Sequence, residues 1–399
     1  MKNTLAPLLV TITIQVMTAL SMLTVPVLAP TAAPDIGVSV TYVGLFVGIV
    51  YLGAMLSSLV GGTLVLRFGA IRVSQACLLI CAAGLATAML ATPPALVAAA
   101  VLIGCGYGPI TPASSHILAK STPRHLMGLV FSIKQTGVPL GGALAGVLIP
   151  PLVLATDWRT ALAATSATCL AMAALAQPVR FALDDDRMAG QRLGLLSIIA
   201  PLKLVLSTAS IRALAFSSMF YAAMQMCLMG YLVTYLVSDL GLTMVQAGVT
   251  LAVAQGGGIV GRILWGAVAD RWVAPRRMFG LLGLMMSAGA TSAALFSPAW
   301  PTALLLAACA LFGASAIGWN GVQLAQVAQL APPGKAGQAT GGTLFISYFG
   351  VVAGPPLFGA IVGSGFGYPA AFLVMALPPL VIGLRFAVGR AEARPTATG

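Results

Sequence analysis

The sequence predicts an all-α membrane protein whose twelve transmembrane helices form two pseudo-symmetric halves of six. Three observations support this prediction. Only 7% of the 399 residues are charged, against about 25% in a typical soluble domain. Hydrophobic stretches of about 20 residues, each long enough to cross a hydrocarbon core of roughly 30 Å, recur along the whole chain. The second half of the sequence also repeats the glycine spacing of the first.

The apolar stretches divide the chain into twelve predicted spans. They cover residues 5–30, 41–66, 73–92, 95–118, 127–154, 159–179, 213–237, 245–269, 278–297, 301–329, 338–363 and 368–389. Lys2, the apolar run after it and the small residues Ala29, Ala32 and Ala33 also fit a cleavable signal peptide. The internal repeat argues against cleavage, because it gives the first span a counterpart in the seventh.

The placement of the basic residues predicts the orientation. Seventeen of the 20 bases fall on the side of the chain termini: Lys2, Arg67, Arg72, Lys120, Arg124, Arg180, Arg187, Arg192, Lys203, Arg212, Arg271, Arg276, Arg277, Lys335, Arg385, Arg390 and Arg394. The opposite side holds only Arg159. Such an excess marks the cytoplasmic side, so we expect a multi-pass inner-membrane protein with cytoplasmic termini. The net charge of +12 is therefore a topology signal, and no nucleic acid partner is expected.

An internal repeat defines the two halves. Offsets of 204 and 213 residues pair Asp35 with Asp239, Gly44 with Gly248, Gly53 with Gly257, Gly62 with Gly266, Arg72 with Arg276, Gly108 with Gly321, Gly128 with Gly341, Gly137 with Gly350, Gly141 with Gly354 and Gly146 with Gly359. An offset that holds over consecutive spans indicates two parallel repeats. We expect halves at residues 1–180 and 213–399, joined by a cytoplasmic linker at 181–212. Within it, residues 193–206 fit either a short surface helix or a plain loop.

A charged loop after the eighth span carries the most specific motif. It reads Gly266-Ala-Val-Ala-Asp270-Arg271, followed by Arg276 and Arg277. With twelve spans and two homologous halves, the chain resembles the major facilitator superfamily over essentially its whole length. Asp270 is expected at a helix end, paired with basic residues, where it holds the halves closed on the cytoplasmic side. A charge cluster that only sets topology is the alternative.

The corresponding loop of the first half is a degenerate copy of this motif. Leu66 stands where the family usually has aspartate, so the gate is expected to be asymmetric. The candidate gating residues of the two loops are Asp270, Arg271, Arg276, Arg277, Arg67 and Arg72.

Two charges, Lys134 and Arg262, fall inside predicted spans, whereas all eight acids lie at span ends or in loops. A charge at the bilayer centre costs about 2.5–3.5 kcal/mol and usually marks a substrate pathway. A rise of about 1.5 Å per residue places both cations roughly 7–9 Å to the cytoplasmic side of their span centres. The resemblance to the superfamily implies that the fifth and eighth spans face each other across the boundary between the halves. We therefore expect both cations to face one cavity that favours an anion. Alternatively, Lys134 snorkels to the interface, and Arg262 pairs with Asp270 or with helix-end carbonyls.

The eighth span also resembles a narrower group. Gly261-Arg262-Ile-Leu-Trp265-Gly266 looks like the eighth span of the monocarboxylate transporters and the oxalate–formate antiporters, which implies that Arg262 binds a substrate carboxylate. The second cation of the oxalate–formate antiporters lies in the eleventh span, where this chain has Ser347, and Lys134 occupies the pseudo-symmetric place. The sequence around Lys134 is more weakly similar to cyanate-permease-like carriers. Further cavity candidates are Gln135, Gln15, Tyr107, Tyr221, Gln225, Trp319, Asn320 and Tyr348.

These residues predict a secondary transporter of a small organic anion, a mono- or dicarboxylate, that works by alternating access with exchange or proton coupling. Efflux of drugs or other lipophilic compounds is the main alternative, since Gly137-Val-Pro139-Leu-Gly141 resembles a glycine-proline motif often seen in antiporters. A non-transporting sensor is a further alternative. The sequence has no catalytic cluster, and without a phosphate-binding loop ATP is not the energy source. We expect no metal, no cofactor and a monomer in the lipid bilayer.

Overall fold

The computed structural model describes residues 2–38, 43–188, 190 and 195–388. Three of the bases used to predict the orientation lie outside the described residues, namely Arg192, Arg390 and Arg394. Positions 193 and 194 of the predicted linker helix also lie outside them. The described residues form helices and no strand. The helices are α1 (Lys2–Ile36), α2 (Val43–Phe68), α3 (Ala70–Ala88), α4 (Pro93–Tyr107), α5 (Ile110–Ser121), α6 (Met127–Gln135), α7 (Gly137–Ala155), α8 (Trp158–Leu175), α9 (Arg180–Leu183), α10 (Leu195–Ser207), α11 (Ala209–Ser238), α12 (Met244–Arg271), α13 (Pro275–Ala294), α14 (Thr302–Ala316), α15 (Asn320–Leu330), α16 (Ala336–Ile361) and α17 (Gly367–Val388).

The twelve predicted spans are confirmed. Nine helical stretches among the described residues are long and apolar enough to cross a membrane, and the last of them, Ala336–Ala387, contains both α16 and α17. The sixth and ninth spans are α8 and α13. They are less apolar because the first turn of α8 contains Arg159 and that of α13 contains Arg276 and Arg277. The fourth, fifth and tenth spans each consist of two consecutive helices. The protein is therefore an all-α membrane protein of twelve spans.

The breaks inside these spans free backbone carbonyl groups deep in the bundle. In the fifth span, α6 ends at Gln135 and α7 begins at Gly137. Pro139 has no amide hydrogen, so the Gln135 carbonyl four residues earlier loses its helical donor. In the tenth span the chain leaves the helix at Ile317 and re-enters it at Asn320. The carbonyls of Gln135 and Ile317 therefore need other donors.

The hydrophobic core is divided between the two sets of six spans. One large cluster of buried side chains runs from Val205 to Phe386, while two others draw only on residues between Ile14 and Ala176. A small fourth cluster, in which Phe131 packs with Leu324, joins the two sets. This pattern supports the proposed halves at residues 1–180 and 213–399, whose bounds stay a prediction.

The halves pack most closely at the end of the bundle that carries the basic loops, which we call the basic face. A Cβ atom at Gly266 would lie 2.5 Å from the carbonyl oxygen of Gly128 in the other half, so only glycine fits there. Helix α10 reinforces the same face. Its Val205 is fully buried, and the backbone of Pro201 contacts Gly342 in α16. The linker therefore forms a helix that packs against the bundle.

Candidate functional site

Lys134 lies at the end of α6 and is 1% exposed. Its Nζ donates to Gln15 Oε1 at 2.7 Å, to Gln135 Oε1 at 3.0 Å and to Thr111 Oγ1 at 3.4 Å. These neutral oxygens come from the first, fifth and fourth spans. The side chain does not snorkel to the interface, because the ammonium group is enclosed among these partners. Within the described part of the chain, no carboxylate pairs with it.

Arg262 in α12 is 3% exposed. As the alternative prediction held, it binds helix-end carbonyls, namely the two that the helix breaks set free. Its Nε donates to the carbonyl oxygen of Ile317 at 2.9 Å, and its Nη1 donates to that of Gln135 at 2.5 Å. The side chain therefore joins the tenth span of its own half to the fifth span of the other half. Lys134 and Arg262 meet at one residue, because the first contacts the side chain of Gln135 and the second its backbone.

Three more predicted residues extend this network into the second half. Trp319 Nε1 and Asn320 Nδ2 donate to Gln225 Oε1 at 3.1 and 3.2 Å. Asn320 Nδ2 also lies 3.4 Å from the Ile317 carbonyl that accepts from Arg262. Hydrogen bonds therefore link residues of the first, fourth, fifth, seventh, eighth and tenth spans.

Gln15 carries a polar atom with no partner. The side chain is fully buried, and its Nε2 has no hydrogen-bond acceptor among the described residues. Its orientation is fixed because Oε1 accepts from both Lys134 and Thr111, at 2.7 and 3.3 Å, and a flipped amide would turn its NH₂ toward the ammonium. A buried donor left unsatisfied costs about 1–3 kcal/mol. Gln15 Nε2 is therefore suited to donate to an acceptor atom of a ligand.

Three tyrosines supply further hydroxyl groups near the cations. The rings of Tyr51 and Tyr348 lie 5.8 Å apart, and Tyr51 and Tyr107 are close enough to interact electrostatically with Arg262. None of the three hydroxyls has a hydrogen-bond partner among the residues that the structure describes. Tyr51 and Thr111 were not predicted. Thr111 lies four residues after Tyr107, so the helical spacing of the fourth span was the available signal.

Tyr221 lies deeper in the second half than predicted. It is fully buried, and its hydroxyl donates to the backbone carbonyl of Phe279 at 3.1 Å. Its ring packs edge-on against Trp319 with the centroids 5.8 Å apart. Because the hydroxyl hydrogen is already bonded to the backbone, Tyr221 has no free donor for a ligand. Its ring instead packs against Trp319 and helps to hold it in place.

The prediction that Asp270 pairs with basic residues is wrong. Its two carboxylate oxygens accept from the backbone amides of Gly128 and Leu129, at 2.8 and 2.7 Å. Those amides open α6 in the other half, and a helix N-terminus favours a carboxylate because its first N–H groups lack partners and carry partial positive charge. Within the described residues, no Lys or Arg nitrogen lies within 4.0 Å of this carboxylate. Asp270 therefore caps a helix across the interface.

The basic residues of the two loops make other contacts. Arg67 and Arg276 lie over the rings of Phe68 and Phe386, and Arg72 Nη1 donates to Gln75 Oε1 at 3.5 Å. Arg271 and Arg277 are exposed.

The equivalent contact of the first half lacks a charge, because Leu66 replaces the carboxylate. There α2 meets α16 through Gln338 Nε2, which lies 3.5 Å from Thr63 Oγ1. The acid nearest to this loop is Asp184 of the linker. It accepts from the amides of Ile71 and Arg72, at 2.8 and 3.1 Å, and so caps α3 without bridging the two halves. Burial raises the pKa of the Asp184 carboxyl, an effect that these two amides oppose.

Comparisons with known proteins show the family. Residues 10–355 match the Major Facilitator Superfamily. The 4-hydroxybenzoate transporter PcaK of Pseudomonas aeruginosa is 24% identical over 383 residues, which cover 88% of this chain and 84% of PcaK. A chloramphenicol resistance protein of Streptomyces lividans is 32% identical over 192 residues, or 45% of this chain and 47% of that protein.

Solved structures share the fold at low sequence identity. The E. coli fucose:proton symporter FucP superposes with a TM-score of 0.77 at 17% identity, over 98% of this chain and 100% of FucP. The human organic anion transporter MFSD10 gives a TM-score of 0.72 at 16% identity, over 96% of this chain and 98% of that chain. With a family match that spans most of its residues and a fold shared with these transporters, the chain belongs to the Major Facilitator Superfamily and is a membrane transporter, not an enzyme.

Proposed function

We propose that this transporter carries a small organic anion, a mono- or dicarboxylate, by alternating access around Arg262 and Lys134. One observation carries the proposal: two buried cations meet at Gln135, and no carboxylate contacts either of them within the described residues. At an effective dielectric constant near 20, an anion about 4 Å from each cation gains roughly 4 kcal/mol per contact. Neutral and cationic substrates gain nothing comparable.

The remaining donors of the site support a carboxylate. Gln15 Nε2 has no partner among the described residues. Arg262 binds the two backbone carbonyls through Nε and Nη1, so its Nη2 can still donate to a substrate. The hydroxyls of Tyr51, Tyr107 and Tyr348 are further donors, and their rings would pack against a flat substrate. PcaK is named for 4-hydroxybenzoate, an aromatic carboxylate. Aromatic monocarboxylates are therefore the first substrates to test.

The same proposal extends to the orientation and the gate. We infer that the basic face is cytoplasmic, since excess Lys and Arg mark that side, and that the protein acts as a monomer. The capping of α6 by Asp270 then forms the cytoplasmic gate. Exchange and proton-linked symport both fit this arrangement.

Substitution of Asp270 by alanine is expected to loosen this gate. Loss of the cap and of the charge at the helix end costs about 1–2 kcal/mol, so the face should open about 5–30-fold more often. Ser132, which is fully buried where the halves meet at Gly266, reports on opening. A Ser132→Cys reporter, with the six native cysteines replaced, should react with a maleimide faster by that factor in Asp270→Ala.

Asp184→Ala is the matched control for this experiment. It removes an aspartate that also caps a helix through two amides, but this cap joins the linker to α3 of the first half and does not bridge the two halves. We expect no change in the labelling rate. Equal rates in the Asp270→Ala and Asp184→Ala proteins would show that the cross-interface cap is not a gate.

Ligand-induced stabilisation and liposome exchange test the substrate class. Because a ligand stabilises the state that it binds, 4-hydroxybenzoate, benzoate and small dicarboxylates should include compounds that raise the melting temperature of the purified protein. Those compounds should also exchange with labelled substrate in proteoliposomes. Stabilisation by cationic drugs alone would reject the anion proposal.

Efflux of a neutral lipophilic compound is a second candidate function. It is favoured by the 32% identity to a chloramphenicol resistance protein. If chloramphenicol stabilises the protein and no carboxylate does, efflux replaces carboxylate transport as the proposed function.

A further inference from the structure

A second basic site lies away from the buried cations, at the basic face of the second half. A cavity of about 400 Å³ opens where α11, α13, α15 and α17 meet. It is lined by the side chains of Arg212, Arg276, Arg385, Gln326, Phe216 and Phe220, among others. No residue of the proposed substrate site lines it, so it needs an explanation of its own.

The mouth of this cavity is suited to a phosphate group. Arg212 and Arg385 are exposed, and no carboxylate pairs with either of them in the part of the chain that the structure describes. Guanidinium groups bind phosphate oxygens in a bidentate manner and are more weakly hydrated than ammonium groups. Ser217 and Gln326 add neutral polar groups to the wall. The cavity therefore offers two unneutralised cations and hydrogen-bonding partners to one anion.

The wall below the arginines is apolar and follows the direction of a lipid. Along α11, Arg212, Phe216 and Phe220 succeed one another at intervals of four residues, so they share one face with the base nearest the membrane surface. The two phenylalanines are 44% and 38% exposed and lie about one and two turns further along α11 than Arg212. On α17, Ile382 lies one turn deeper than Arg385. The cavity therefore has cationic side chains at its mouth and apolar side chains deeper in its wall, an arrangement that matches a lipid headgroup and its acyl chain.

We propose that this cavity binds an anionic phospholipid, with its phosphate at Arg212 and Arg385 and an acyl chain along Phe216 and Phe220. Basic pockets between transmembrane helices on the cytoplasmic side commonly take anionic headgroups. The lipid bridges the seventh and twelfth spans at their basic ends. It stabilises the second half, and this role does not depend on the identity of the substrate.

The melting temperature of the purified full-length protein in detergent tests this proposal. Phosphatidylglycerol is compared with phosphatidylcholine of the same acyl chains and with inorganic phosphate. Phosphatidylglycerol should raise the melting temperature of the wild type by roughly 3–6 °C more than phosphatidylcholine does. Most of that difference should disappear in the Arg212→Gln/Arg385→Gln protein, while the response to phosphatidylcholine, which reports on correct folding, stays the same.

Arg124→Gln/Lys203→Gln is the matched control, because it removes two exposed bases of the same face that do not line the cavity. It should keep the wild-type response to phosphatidylglycerol. An equal response in the Arg212→Gln/Arg385→Gln protein would overturn the site. A full shift with inorganic phosphate alone would overturn the lipid, since the headgroup and acyl chain would then be unnecessary.

Discussion

Replacement of Arg262 by alanine is expected to abolish exchange of a labelled carboxylate in proteoliposomes. The substitution removes a cation from the proposed substrate site. It also leaves the Gln135 carbonyl without its side-chain donor, and it leaves the Ile317 carbonyl with only the longer contact from Asn320. Truncation of one partner of a buried charged hydrogen bond costs about 2–5 kcal/mol, so transport should fall by at least about 30-fold. Uptake of labelled substrate at saturating and subsaturating concentrations measures the loss.

Arg262→Lys separates charge from geometry. Lysine keeps the positive charge, but its ammonium lacks the planar fork that reaches two carbonyls while it holds a carboxylate. We expect residual exchange at a level between those of the wild type and Arg262→Ala. Arg159→Ala removes an exposed base on the opposite face and should transport normally. If Arg262→Ala exchanges carboxylate at the wild-type rate, the proposed site is wrong.

The twelve spans were predictable because length, apolarity and the placement of bases are local properties of the sequence. The break at Gln135 was also within reach, since Pro139 four residues later removes the helical donor of that carbonyl. The break at Ile317 has no proline to signal it. The carbonyl that this break sets free is bound by Arg262, which is 55 residues away in the sequence.

The role of Asp270 could not be deduced from its neighbours in sequence. Arg271 and Arg276 are close along the chain, which favoured an ion pair, whereas the observed partners are the backbone amides of Gly128 and Leu129. Backbone donors have no residue signature, and they become available only because a second helix begins at that point. The sequence placed Asp270 at a helix end, but the partner of its carboxylate depends on how the halves pack.

The convergence on Gln135 connects the proposed site to the interface between the halves. Arg262 belongs to the second half, yet its Nη1 donates to the Gln135 carbonyl of the first half at 2.5 Å. A carboxylate bound at the proposed site would compete with that carbonyl for the guanidinium. Substrate binding there would thereby alter a contact between the halves, as alternating access requires. A cation that contacted only its own half would lack this coupling.

Replacement of Lys134 by methionine is expected to eliminate exchange as well, with a loss of at least about 30-fold. Methionine keeps much of the length of the lysine stem but removes the charge and the donors to Gln15, Gln135 and Thr111. The remaining cation, Arg262, is already engaged by two carbonyls, so the site loses much of its attraction for an anion. Transport assays and ligand-induced stabilisation should both show the loss.

A relocated charge distinguishes a role in anion binding from a structural one. Because Gln15 Oε1 lies 2.7 Å from Lys134 Nζ, a lysine introduced by Gln15→Lys places an ammonium group near the original position. In the Lys134→Met protein, Gln15→Lys should restore part of the carboxylate exchange, whereas Gln15→Met should not. If Gln15→Lys restores no exchange, a positive charge at this position is not what the substrate requires. Normal exchange by Lys134→Met alone would show that one cation, Arg262, is sufficient for the substrate.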